Sequence, residues 1–141
     1  MTITPTPALA CDCHMHIYDR RFPAVAGARL LPPDALVPEY RQLQARLGLA
    51  RTVVVTPSTY GTDNASLLDA LEQFGPTARG VAVLDAAVSD DELQRLHAAG
   101  VRGIRFNQTL SDITPIETLE PLAARIRPLG WHVQMLLKPD D

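Results

Sequence analysis

The chain has 141 residues, of which 46% are hydrophobic and 21% charged. That is enough for one hydrophobic core and too little for two ordinary domains. A net charge of −3 argues against a nucleic-acid or anionic-membrane surface, and no apolar run approaches the length of a membrane span.

Residues 1–10 are rich in Pro and Thr and lack the charged start and apolar core of a signal peptide, so a cytoplasmic location is expected. They read as a disordered or extended lead-in to one unit over 11–141. In that unit, apolar strand-like runs at 11–17, 52–57, 80–85, 103–107 and 132–137 alternate with helical patterns near 38–48, 64–74, 90–99 and 115–129.

The first run, Cys11-Asp-Cys-His-Met-His-Ile-Tyr18, carries a His-X-His pair. Alternation along a strand puts Asp12, His14, His16 and Tyr18 on one face and Cys11, Cys13, Met15 and Ile17 on the other. Two imidazoles at neighbouring positions of one face suggest chemistry, because imidazole changes charge near neutral pH and binds divalent metals. A chance pair of histidines is the plain alternative. Cys11 and Cys13 sit too close along the strand for an ordinary disulfide and read as small buried thiols.

The second run opens into Thr56-Pro-Ser-Thr-Tyr-Gly-Thr-Asp-Asn64, a polar loop ahead of a helix. Its hydroxyls and backbone N–H groups suit an anion, or it is a capped connection with Thr62 or Asp63 as N-cap. Ser89-Asp-Asp-Glu92 is a capping box closed by Gly100, and Thr114-Pro-Ile-Glu117 repeats the device ahead of Gly130. Pro121 is expected to kink that helix or delay its start.

The fourth run places Arg105 and Asn107 on one face, with Ile104 and Phe106 opposite. An arginine there is a fork for a carboxylate or polarised carbonyl; the alternative is an ion pair with Asp12 or Asp85. His132 begins the fifth run, away from the expected site, and His97 lies on a helix flank; both read as structural.

Strand-then-helix order implies right-handed crossovers and a parallel sheet. The expected fold is α/β: a partial (β/α)8 barrel comprising the first four βα units plus strand five, since a closed barrel takes about 250 residues. A complete five-stranded open sheet is the alternative. The barrel reading makes the chain a truncated part with open edge strands that invite self-association.

The motifs Asp12-Cys-His-Met-His-Ile-Tyr-Asp19, Pro57-Ser-Thr-Tyr-Gly-Thr-Asp-Asn64, Gly100-Val-Arg-Gly-Ile-Arg-Phe-Asn107 and Leu129-Gly-Trp-His-Val-Gln134 occur in that order. Together they resemble the amidohydrolase-related branch of the amidohydrolase superfamily. The likeness is to the 2-pyrone-4,6-dicarboxylate lactonases and, more closely, to the D-galactarolactone isomerases.

The resemblance implies an enzyme acting on lactones of acidic sugars or dicarboxylates. His14, His16 and Arg105 match catalytic positions, with Ser58, Tyr60 and Asn107 in the substrate-binding set. A second arginine of the lactonases is replaced by Ser111 and a substrate-holding tyrosine by Leu30, which points to a less charged lactone. In hydrolysis, a strand-eight aspartate of the family would activate water while the two histidines and Arg105 polarise the carbonyl. In the alternative, intramolecular isomerisation, a substrate hydroxyl replaces water. A non-enzymatic half-barrel module or an open-sheet binding domain is the third reading. No cofactor is expected; a divalent metal such as zinc would be held weakly by His14 and His16, unless Lys138 or Asp140 joined them. The isolated chain is expected to be inactive or nearly so.

Overall fold

The computed structural model describes residues 6–109 and 113–138. Five strands, β1 (Cys11–Met15), β2 (Arg51–Val55), β3 (Ala78–Ala82), β4 (Val101–Asn107) and β5 (His132–Leu136), lie side by side in sequence order. Every neighbouring pair is parallel. The crossovers carry α1 (Val37–Leu47), α2 (Ala65–Phe74), α3 (Asp90–Ala98) and α4 (Leu119–Ile126). The sheet is curled: His14 on β1 lines the same depression as Arg105 on β4 and Gln134 on β5. This is a partial (β/α)8 barrel, as the strand-helix alternation implies.

The core lies between the outer face of the sheet and the helices. Met15, Val54, Ala82, Ile104 and Phe106 from the strands meet Leu67, Leu71, Leu96, Leu122 and Ile126 from the helices, all buried. Gly80 lets α2 approach β3 closely. A Cβ there would lie 2.8 Å from Leu71 Cδ1 and 3.1 Å from Val101 Cγ2.

Several local expectations change. The β1–β2 register shifts between Asp12 and Met15, so Asp12 does not share a face with His14. Its carboxylate turns to the helix side, accepting from the Tyr40 hydroxyl (2.8 Å) and from the His14 backbone N–H (3.1 Å). Cys11 is half-buried and Cys13 exposed, because β1 has a neighbour on one side only and the shift turns Cys13 outward. Both cysteines are free thiols.

Ser89 caps α3, accepting from the Glu92 N–H at 3.1 Å, but the Glu92 carboxylate pairs with Arg95 instead of closing the box. Thr114 is not a cap; it is buried, and its carbonyl accepts from Gln108. A turn of 3-10 helix over Ile116–Thr118 precedes α4, which puts Pro121 in the first α-turn, where its missing N–H leaves no bond unmade. Of the lead-in, Thr6 bonds the Leu47 carbonyl and Ala10 accepts from Ala50 and Arg51. No helix among the described residues is long and apolar enough to cross a membrane.

Candidate active site

Parallel strands bring all their carboxyl ends to one rim, the end at which such folds bind ligands. His14 arrives from β1 and His16 from just beyond its end, Ser58 from the loop after β2, and Arg105 and Asn107 from the end of β4. The two imidazoles lie edge to face, centroids 5.1 Å apart and planes at 77°. The Tyr18 ring extends the row, 5.9 Å from His16.

His16 Nδ1 lies 2.8 Å from the Val55 carbonyl oxygen. A carbonyl only accepts, so Nδ1 carries the proton and Nε2 is left as the acceptor of the neutral ring. Burial pushes the His16 pKa down; the Val55 bond opposes this, and the charge of Arg105 reinforces it. Burial also lowers the pKa of His14, again with help from Arg105, against the opposing pull of Gln134 and Asp12. Both rings therefore favour the neutral form beside a fixed cation.

Arg105 is only 7% exposed, and burial lowers its pKa. None of the ion pairs among the described residues involves it. Neither carboxylate expected as an alternative partner serves: Asp12 bonds Tyr40, and Asp85 accepts from the Ala87 N–H. Arg105 borders an open depression of about 490 Å³ with His14, Gln134, Met135 and Leu136. On its other side, a narrow crevice of about 10 Å³ joins it to Ser58 and Asn107. A buried guanidinium with no carboxylate partner, facing a cavity, is suited to an anionic ligand.

The other expected residues divide. Ser58 reaches the crevice wall. Asn107 is buried there, its carboxamide oxygen accepting from Thr109 N–H (3.1 Å) and Oγ1 (3.0 Å). Tyr60, expected in the substrate-binding set, has its hydroxyl engaged by the Asp19 backbone, accepting from the Asp19 N–H at 2.8 Å and donating to the Asp19 carbonyl at 3.2 Å.

At the start of the loop helix, Asp63 Oδ1 accepts from the Ala65 N–H (2.9 Å), as one of the two expected caps. Asn64 holds the N-cap position, and its side chain does other work. Its Oδ1 accepts from Thr56 Oγ1 (2.7 Å) and the Val83 N–H (3.1 Å), while Nδ2 donates to the carbonyls of Val83 (2.8 Å) and Thr62 (3.1 Å). Sequence reading also passed over Gln134, which sits beside Arg105 in the β4–β5 register; its alternation with His132 was the available signal.

Among the described residues, no group of three or more His, Cys, Asp or Glu is placed to hold a metal ion. Lys138 is exposed just past β5, and Ser111 and Asp140 lie outside the described residues.

The parallel half-barrel carries two histidines, a buried arginine and a serine hydroxyl at its C-terminal rim. The chain belongs to the amidohydrolase family, whose model matches residues 11–140. It is 42% identical over 139 residues to a 2-pyrone-4,6-dicarboxylate hydrolase of Comamonas testosteroni, covering 96% of this chain and 46% of that protein. A D-galactarolactone isomerase of Agrobacterium fabrum is 31% identical, with 92% of this chain and 46% of the relative covered. A crystal structure of a probable 2-pyrone-4,6-dicarboxylic acid hydrolase from Acinetobacter baumannii, with citric acid bound, superposes with a TM-score of 0.82 at 26% identity, covering 94% and 51%. The chain thus spans about half the length of the relatives it matches. The expected closer likeness to the isomerases does not hold between these two relatives, since the identity is higher to the hydrolase.

Proposed function

We propose that this chain forms the carbonyl-polarising half of a cytoplasmic enzyme that hydrolyses lactones bearing carboxylate groups. The observation that carries this reading is Arg105, buried without a carboxylate partner beside two imidazoles that favour the neutral form. Arg105 would hold a substrate carboxylate or the polarised lactone carbonyl. The His16 and His14 rings, with the Ser58 hydroxyl, would orient the ring of the lactone against it. No carboxylate among the described residues is placed with these groups as a base for water; in this reading it comes from the half of the relatives' length that this chain does not match. No metal is assigned, because the donor set of the described half stops at two imidazole nitrogens.

Hydrolysis is favoured over isomerisation by the higher identity to the hydrolase. The test compares the 141-residue chain with a protein extended to the relatives' full length. Both are assayed on 2-pyrone-4,6-dicarboxylate, galactarolactone and an uncharged lactone. Ring opening of an acidic lactone by the extended protein alone is the expected result. Equal turnover of the uncharged lactone, or ring transfer without net hydrolysis, would overturn the reading.

A further inference from the structure

A cleft of about 550 Å³ opens at the other end of the sheet, between the C-terminal ends of α2 and α3 and the first residues of β3 and β4. Three arginines line it, Arg79 on β3, Arg102 on β4 and Arg95 on α3, against one acidic residue, Glu72. This is a concentration of positive charge in a chain whose net charge is −3. β3 and β4 are inner strands of the sheet, so no wall of the cleft comes from an open edge.

Arg79 and Arg102 are anchored by the same device. Arg79 Nη1 donates to the carbonyls of Ala78 (2.6 Å) and Pro76 (3.0 Å). Arg102 Nη1 donates to those of Val101 (2.6 Å) and His97 (2.7 Å). In each case one terminal nitrogen serves carbonyls where a helix hands over to a strand. The opposite edge of each guanidinium, Nε with Nη2, has no hydrogen-bond partner among the described residues, and none of their ion pairs involves Arg79 or Arg102. That edge is the planar fork that meets an oxyanion with two parallel bonds. Neighbouring strands run about 4.8 Å apart, so two fixed forks stand close together. Arg95 adds charge only, since its Nε and Nη2 already hold Glu92 at 2.7 and 2.8 Å.

We propose that this cleft is an anion site in which Arg79 and Arg102 together hold a phosphate group. A carboxylate has two oxygens, enough for one fork; a phosphate ester has three terminal oxygens, enough to engage both. Where the phosphate is that of an ester, Glu72 in the same wall would accept from a hydroxyl of the ligand. Arg102 is the second residue of β4 and Asn107 its last, so this site and the lactone rim lie at opposite ends of the sheet and neither assignment depends on the other.

The test is a titration of the 15N-labelled 141-residue chain with inorganic phosphate, ribose 5-phosphate and succinate, at an ionic strength held constant with sodium chloride. The arginine Nε–Hε signals report binding. The expected result is saturating shifts of the Arg79 and Arg102 signals with both phosphates and weaker, non-saturating ones with succinate. Tighter binding of ribose 5-phosphate would identify a phosphate ester as the ligand; tighter binding of inorganic phosphate would identify the free ion. Arg79→Lys and Arg102→Lys keep the charge and remove the fork, and each should weaken phosphate binding about tenfold; either suffices if the other fails to fold, and the wild-type titration needs neither. Succinate binding as tight as phosphate, or shifts spread equally over Arg41, Arg46 and Arg125, would overturn the proposal. So would loss of the phosphate response in Arg105→Met, which would place the anion at the rim.

Discussion

Replacing Arg105 by methionine should separate what this side chain does for folding from what it does for a ligand. Folding takes the guanidinium from water to a site where it is 7% exposed, with no ion pair to compensate. Methionine has similar length and no charge, so the variant should unfold at an unchanged or higher urea concentration, with a gain of up to about 2 kcal/mol. The ligand response should go the other way. A hydrogen bond to a charged group contributes about 1.5–3 kcal/mol, which corresponds to about 10- to 150-fold in affinity. Citrate, bound in one structural relative, is a convenient probe. Wild-type protein should gain stability with added citrate and show binding heat by titration calorimetry, while Arg105→Met should show neither. In the extended enzyme, Arg105→Ala should cut turnover of a charged lactone more than that of an uncharged one. A loss of more than about 2 kcal/mol for Arg105→Met without ligand would refute the reasoning, because it would give Arg105 structural partners worth more than its desolvation costs.

Other outcomes follow from the same geometry. Burial holds the pKa values of His14 and His16 in the folded chain below the ordinary imidazole value of 6.5. The unfolded chain therefore binds more protons, and stability that is complete above pH 6.5 should be lost as pH falls below it. Urea midpoints between pH 8 and 5 should show this slope, and a His14→Asn/His16→Asn double variant should flatten it; Asp19 and Glu92, held below the usual carboxylate values of 3.8 and 4.5 by their arginine partners, act only at more acidic pH. Gly80→Ala should destabilise by about 1–3 kcal/mol, since Leu71 and Val101 leave no room for a methyl group; a neutral thermal shift would mean that α2 can back away. Asn64→Ala should cost at least about 2 kcal/mol by leaving buried groups of Thr56 and Val83 unpaired, and a loss below half that in chemical denaturation would show that water replaces the amide. Protein dialysed against a mild chelator should hold no stoichiometric zinc by elemental analysis; retained metal would show that a further ligand joins His14 and His16.

The architecture was legible because hydrophobic runs and helix patterns alternate, and parallel connection rules leave few topologies. The site was legible where one strand's alternation decides the face, as for Arg105 and Asn107. It failed where alternation breaks. The register shift after Asp12 moved that carboxylate to the helix side, and no local residue pattern announces such a shift. The partners of Tyr60 and Asn64 were not legible for another reason. Both sit in a loop of polar residues that all look available to a ligand, yet their partners are backbone groups of Asp19 and Val83, 41 and 19 residues away in sequence. Gln134 was missed because its meaning depends on Arg105 beside it, a pairing that exists only once β4 and β5 align.

The double tethering of the β2–α2 loop bears on how fast, and at what entropic expense, a ligand can be taken up. Asn64 ties the loop's far end to Val83 just past β3, and Tyr60 ties its middle to the segment after β1. Ser58 lies between Thr56 and Tyr60, two residues with hydrogen bonds of their own, in a turn of 3-10 helix. The conformational freedom of this wall is surrendered when the chain folds, so little ordering remains for an encounter to impose. Association along this wall should follow single-step kinetics, with a rate proportional to ligand concentration and no plateau from a slow closing motion. Lengthening the loop with glycine would transfer the ordering cost to the binding step.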